Sequence, residues 1–184
     1  MGLAIGSVIP KLDFGTGAFS REEAHTVRTV GQLAELFRDQ AGARMMAPDR
    51  IVYEIHGCAS EVEGPPKLLY ATTVLHPGHV GNEYFMTRGH FHTDPTRGEF
   101  MLTLRGEGSL ILMDRERNTW MEPMKTGSVH DVDGRFAHRA ANTGPSSLVF
   151  LVTWMSDCGH DYESIAAEGF GKRLVAGPSG PTLI

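Results

Sequence analysis

Cysteine is scarce in this chain of 184 residues, with Cys58 and Cys158 as the only two. They lie far apart and form no C-x-x-C, so the spacing excludes a disulfide-stapled fold, a thiolate zinc site and a dithiol redox centre. Both read as small buried hydrophobes. Long apolar runs are absent too. The longest, near Leu148–Met155, is too short to cross a bilayer, and Met1 to Pro10 lacks the basic stretch and apolar core of a signal peptide. There is no excess of positive charge: 17 Lys and Arg stand against 22 Asp and Glu, a formal net charge of −5. That excludes a general nucleic-acid binder, which needs a basic face. No internal repeat, low-complexity tract or interdomain linker interrupts the chain. These absences predict a soluble cytoplasmic protein with no membrane or nucleic-acid partner.

Glycine and turn residues are plentiful. With 22 Gly, 10 Pro and a 41% apolar fraction, the composition suits a turn-rich β protein with a real core. From Ile51 onward, short runs rich in β-branched and aromatic residues recur: Ile51–His56, Leu68–His76, Phe100–Leu104, Ser109–Met113, Thr119–Met121, Gly127–Val132, His138–Asn142 and Leu148–Trp154. Turn residues separate them, among them Glu63-Gly64-Pro65-Pro66, Pro77-Gly78, Asp133-Gly134 and Asn142-Thr143-Gly144-Pro145. Short strands at this spacing predict an all-β barrel or sandwich. Before them, Val30, Leu33, Leu36 and Phe37 fall on one face of a predicted helix over Thr29–Gln40, capped by Thr29 and followed by Gly42. This helix is expected outside the sheet. The first 20 residues read as irregular. A second short helix is expected near Tyr162–Glu168, and the tail from Ala176 as poorly ordered. The chain reads as one domain over 1–184, with a barrel core at 50–155, an N-terminal extension at 1–49 and a C-terminal helix and tail at 156–184.

The chemistry concentrates in Gly89-His90-Phe91-His92. Side chains alternate along a strand, so His90 and His92 share one side and Phe91 faces away. Two imidazoles two residues apart can reach a common ion. Thr93 to Gly98 is turn-rich, so Glu99 is expected to begin the adjacent strand and face the same interior. His138 starts a later strand that closes the site from across the barrel. Three imidazoles and a carboxylate suit one divalent ion per subunit, with Fe(II) favoured and Mn(II), Zn(II) or Ni(II) as alternatives. An H-x-H pair alone is a weak pattern; followed by a turn, a Glu and a later His it is far more specific. His25, His56, His76, His79 and His130 lack this arrangement and default to other roles.

The run from Pro77 through His79, Asn82-Glu83-Tyr84 and Thr87-Arg88-Gly89 to His92, followed by Glu99, resembles the signature of the cupin-type glucose-6-phosphate isomerases of archaea and some bacteria. Phe136-Ala137-His138-Arg139-Ala140-Ala141-Asn142 is similar to that family's second motif, and Gly159-His160-Asp161-Tyr162 to a segment after its last barrel strand. The similarity runs from about Tyr70 to Leu174. Leu75, Met101 and Asp133-Gly134 depart from the family pattern, and Trp154 represents an aromatic near the end of the last strand. The ligand set is complete.

The resemblance implies a jelly-roll barrel and a metal-dependent glycolytic and gluconeogenic isomerase that interconverts glucose 6-phosphate and fructose 6-phosphate as a homodimer. It also implies roles for single residues. Glu99 is the candidate proton shuttle between C1 and C2, with a direct hydride shift as the rival route. Thr87 and Gly89, joined by Thr72 or Thr73, would meet the phosphate or its neighbouring hydroxyls. His160 and Tyr162 would contact substrate at the barrel mouth, and Glu83 would buttress the site or a ligand imidazole. Arg88 has two readings, a charge for the phosphate or a solvated surface residue. Other functions compatible with the ligand set are an Fe(II)-dependent cupin oxygenase and a non-catalytic sugar-phosphate binder. Oxygen consumption would distinguish the first, and binding without turnover the second.

Overall fold

The computed structural model describes residues 10–21, 24–57 and 65–184; Cys58 and the turn residues Glu63 and Gly64 lie outside them. In chain order the strands are β1 (Ala24–Thr29), β2 (Ile51–Gly57), β3 (Leu68–Leu75), β4 (His79–Val80), β5 (Glu83–Tyr84), β6 (Phe91–His92), β7 (Glu99–Arg105), β8 (Glu107–Met113), β9 (Thr119–Lys125), β10 (Val129–Val132), β11 (Ala137–Asn142), β12 (Leu148–Met155), β13 (His160–Asp161), β14 (Leu174–Gly177) and β15 (Gly180–Leu183). Helices α1 (Val30–Leu33) and α2 (Gln40–Met45) fall between β1 and β2, and α3 (Glu163–Ala166) follows β13. Each of the eight strands expected from alternation is present, to within a few residues at its ends.

The strands form the expected all-β barrel. One antiparallel sheet has the order β1-β2-β3-β12-β7-β10. The facing sheet has the order β11-β8-β9, and residues 86–92 extend it through the bridges Met86–Ala141 and His90–His138. Val52, Leu75, Met101 and Phe150 from the first sheet and Leu110, Leu112 and Ala140 from the second belong to one buried core. Burial of each large side chain contributes roughly 1.5–3 kcal/mol. Every residue of β11 is buried. Its Arg139 is not on the His138 side; the guanidinium lies 3.9 Å over the Phe170 ring. The C-terminal segment therefore covers the second face of this strand, and the chain has apolar residues on both sides there.

Several expectations need correction. The helix over Thr29–Gln40 is broken. Thr29 does cap its start: its hydroxyl accepts from the Gln32 N–H at 3.5 Å and the Gln32 side chain accepts from the Thr29 N–H at 3.1 Å. After α1 the chain makes a 3₁₀ turn over Ala34–Leu36, and Phe37 is extended. Phe37 turns inward to pack on Phe85, ring centroids 6.3 Å apart, and the Arg38 N–H donates to the Glu83 carboxylate at 2.9 Å. These contacts outweigh the helical periodicity. Asp39 then caps α2 by accepting from the Gly42 N–H at 2.8 Å, so Gly42 lies inside a helix rather than after one. The segment also packs into the core, where Val30, Leu33 and Phe37 are buried.

The tail is ordered. β14 and β15 form a hairpin, Val175 pairs with Glu83, and Arg173 and Ile184 exchange backbone hydrogen bonds. In the N-terminal extension, β1 is an edge strand of the large sheet, and Leu12 bridges Phe19 within the segment read as irregular.

Candidate metal centre and substrate pocket

His90, His92, Glu99 and His138 come together, with their ligand atoms all within 4.8 Å of one another. Glu99 Oε2 lies 3.6 Å from His92 Nε2 and 3.5 Å from His138 Nε2. The strands supply them differently from the sequence expectation. His138 is beside His90, not across from it: the His90 N–H donates to the His138 carbonyl at 3.3 Å and the His138 N–H returns to His90 at 3.1 Å. Glu99 comes from the opposite sheet, on β7, which pairs with β10 and β12 and not with β6. The carboxylate, rather than the last imidazole, closes the site.

The donor atoms fit a metal ion. The Nε2 atoms of His90, His92 and His138 are buried and have no hydrogen-bond partner. An unsatisfied buried polar atom costs about 1–3 kcal/mol, so three of them facing one carboxylate suit a bound cation. For His92 and His138 the other ring nitrogen is turned to a backbone carbonyl. His92 Nδ1 donates to the Arg97 carbonyl at 2.5 Å and His138 Nδ1 to the Phe136 carbonyl at 3.4 Å. This tautomer leaves each Nε2 lone pair free for an ion. Glu83 has no part in that support, contrary to expectation. Its carboxylate accepts from the Arg173 guanidinium and the Arg38 N–H, both at 2.9 Å, and ties the two ends of the chain together.

Charge at the centre follows from burial and crowding. Burial raises the Glu99 carboxyl, but the His138, His92 and His90 imidazoles together outweigh it and hold the group below the ordinary carboxylate range. Burial, reinforced by His138 and His160, pushes His90 down to about 2. Burial also opposes charge on His92, yet Glu99 and the Arg97 carbonyl overcome it and raise that group.

Above the ligands is a pocket of about 350 Å³ whose lining includes Thr73, Thr87, Gly89, His160 and Tyr162, the five expected contact residues. Thr72 is excluded, because its hydroxyl donates to the Gly17 carbonyl. The Thr87 hydroxyl accepts from the Ala140 N–H at 3.1 Å and keeps its own proton to donate. Gly89 has φ +76°, and an added Cβ would lie 2.9 Å from the His138 carbonyl oxygen, so backbone and space both require glycine here. His160 pairs with His92 across β13 and β6, and its ring meets His90 edge-on at 4.3 Å. Trp154 is the cross-strand partner of Glu99 and also lines the pocket.

Arg88 lines the pocket as well, with its guanidinium 4.8 Å over the Tyr162 ring. Among the lining residues that sequence reasoning missed are Arg28 and Tyr53. Burial raises the Tyr162 hydroxyl, against which Arg88 and then Arg28 act. Both residues line the same pocket.

The family model and the curated relatives agree on one family. A family model described as "Glucose-6-phosphate isomerase (GPI)" matches residues 27–179. The chain is 38% identical over 167 residues to the glucose-6-phosphate isomerase of Thermococcus litoralis, covering 90% of this chain and 87% of that protein. To the glucose-6-phosphate isomerase of Sinorhizobium medicae it is 33% identical over 169 residues, covering 90% and 78%. Among solved structures, a predicted oxalate decarboxylase from Thermotoga maritima overlays 56% of this chain and 79% of its own at 25% identity, with a TM-score of 0.43, too low to support any inference.

Proposed function

The chain belongs to the glucose-6-phosphate isomerase family, and from that premise we propose how its barrel interconverts glucose 6-phosphate and fructose 6-phosphate. One observation carries the reading: three buried, unpartnered imidazole Nε2 atoms converge with Glu99 beneath a pocket bordered by Arg28 and Arg88. His90, His92, Glu99 and His138 hold one divalent ion, which when bound supplies Lewis-acid polarisation to the oxygens on C1 and C2. Fe(II) is the proposed ion, with Mn(II), Zn(II) and Ni(II) compatible with the same donors.

The reaction needs one hydrogen moved between C2 and C1. Among the described residues lining the pocket, Glu99 is the only carboxylate. Its Oε2 faces His92 and His138, and Oε1 is the proposed shuttle atom. From glucose 6-phosphate in its open form, Oε1 takes the proton from C2, and the electron pair of that bond forms the C1–C2 double bond of an enediolate. The C1 carbonyl pair moves to O1, the O2 hydroxyl proton then passes to O1, the same Oε1 returns the C2 proton to C1, and the electron pair left on O2 closes the C2 ketone while O1 ends as a hydroxyl. His160, beside the ligands, is proposed to hold the C1–C2 hydroxyls in register. The phosphate lies toward Thr73, Thr87, Gly89 and Tyr162, with the Arg88 and Arg28 guanidiniums supplying charge. Tyr53 closes one wall.

A second route, direct hydride transfer from C2 to C1 with Glu99 only orienting substrate, is favoured by one observation. The imidazoles hold the Glu99 carboxyl low, which weakens it as a base. Turnover of fructose 6-phosphate in D₂O separates the two. Deuterium at C2 of the glucose 6-phosphate formed supports the shuttle, and its consistent absence supports hydride transfer.

The assembly reading is a cytoplasmic homodimer of single-domain subunits. One hydrophobic core running from Val30 to Leu174 supports one domain over 1–184, and the exposed Phe100 and Val129 on neighbouring strands β7 and β10 support a second copy as partner. Among the described residues no helix is long and apolar enough to cross a membrane. The central test is a coupled isomerase assay on metal-stripped protein refilled with Fe, Mn, Zn or Ni. Turnover should return with metal and proceed without oxygen consumption. Full turnover by the stripped protein would refute the assigned centre.

A further inference from the structure

The outer face of the β1–β2–β3 region carries a second group of metal-type donors. Ala24, Thr26 and Arg28 line the pocket, so alternation along β1 points His25 the opposite way. His25 is the direct cross-strand neighbour of His56, and the two rings stack with centroids 4.5 Å apart. Glu54 is two residues before His56 and shares its face. Glu54 Oε2 lies 3.1 Å from His25 Nε2, and Oε1 lies 3.0 Å from His76 Nε2. The ligand atoms of His25, Glu54 and His56 all fall within 4.8 Å of one another. Partial burial raises the Glu54 carboxyl, but His76 and His25 outweigh it and keep it low, so the group is an anion at neutral pH.

We propose that His25, Glu54 and His56 form a second metal site, on the opposite face of the sheet from the catalytic centre, for an imidazole-preferring ion of the Zn(II), Ni(II) or Cu(II) class. Two imidazoles and a carboxylate form an open zinc-type donor set, with remaining positions for water. Ligand bonds of about 2.1 Å place neighbouring donor atoms roughly 3–3.5 Å apart. His25 and Glu54 already have that separation. His56 must rotate out of the stack, because an ion in the plane of one parallel ring lies off the plane of the other. His56 is half-buried on the sheet surface. His76 acts as a positioning residue. Held by Glu54 on one side and with Ser147 Oγ 3.4 Å from its Nδ1, it keeps Oε2 of Glu54 turned toward His25. An ion here would staple edge strand β1 to β2, and β1 carries Arg28 into the pocket on its other face.

The site is independent of the isomerase reading, and metal stoichiometry tests it. The full chain is dialysed against Zn²⁺ and the bound metal counted by elemental analysis. Wild type should retain about two ions per chain, and His25→Ala and Glu54→Gln about one each. His92→Ala, which damages only the catalytic centre, should also retain about one, and the His92→Ala/His25→Ala pair close to none. Isomerase activity of His25→Ala should match wild type. Equal zinc content in wild type, His25→Ala and Glu54→Gln would overturn the proposal, even if His92→Ala fails to fold. A loss of turnover in His92→Ala with these counts unchanged concerns the catalytic centre alone.

Discussion

His90 and His138 are backbone neighbours, joined by N–H···O contacts of 3.3 and 3.1 Å, and both present an unpartnered Nε2 to the same point. The bridge fixes the separation of two ligands before any ion arrives. His92 is set by a different contact, its Nδ1 bond to the Arg97 carbonyl.

His92→Ala should therefore remove most of the bound metal and reduce turnover to about 1% or less, since one of few imidazole ligands is lost. Elemental analysis and the coupled assay on the same preparation check this. Retained metal with normal turnover would show that His92 is not a ligand.

At the phosphate end, Thr87→Val and the Arg28→Gln/Arg88→Gln pair should act on binding and not on metal. The valine loses a donor to substrate and also strands the Ala140 N–H, so KM for fructose 6-phosphate should rise about tenfold. The arginine pair should raise it by roughly one to two orders of magnitude, with the increase shrinking at high salt. If metal content falls in parallel, or KM is unmoved, the phosphate lies elsewhere.

Gly89→Ala should destabilise the protein by about 2 kcal/mol or more, because the new methyl group meets the His138 carbonyl and the residue must hold φ +76°. Gly127 has φ +87° but nothing within 4 Å of an added Cβ, so Gly127→Ala should cost only about 1 kcal/mol. Thermal melts of both variants give the comparison, and equal losses would show that the close approach at Gly89 carries no energy.

Metal-free protein should lose stability as pH falls below 6.5. Folded His90 is held down near 2 by burial, whereas the unfolded residue takes a proton at its ordinary value of 6.5. Acid therefore favours the unfolded chain across that window. Glu99, also lowered, adds to the loss further down, as pH falls from the ordinary carboxylate value toward its folded one. His92 is raised and works in the other direction, its contribution fading as pH rises through its folded value. Melting temperature against pH, with and without bound metal, measures this. A metal-free profile that is flat between pH 6.5 and 4 would contradict the burial of a neutral His90.

Much of the site was legible in the residues. His90, His92, Glu99 and His138 were recognisable because ligand chemistry belongs to the side chain and alternation puts His90 and His92 on one side. Thr73, Thr87, Gly89, His160 and Tyr162 followed from similarity and do line the pocket. Arg28 escaped notice for a physical reason. The inward positions of β1 are Ala24, Thr26 and Arg28, which face an open pocket, so the strand shows no apolar alternation. The broken helix escaped for the opposite reason. Its apolar spacing was real, but Phe37 is held by Phe85 and the Arg38 N–H by Glu83, residues more than forty positions away.

The sequence by itself determined the strands after Ile51, the turns between them and the four donors, because alternation, turn chemistry and ligand type act within a few residues. Tertiary structure alone decided that Glu99 closes the centre from the facing sheet, that β1 brings Arg28 to the pocket, and that His25 meets His56 and Glu54. Each of those depends on which distant strands pair and in which register, and short-range pattern carries no record of that choice.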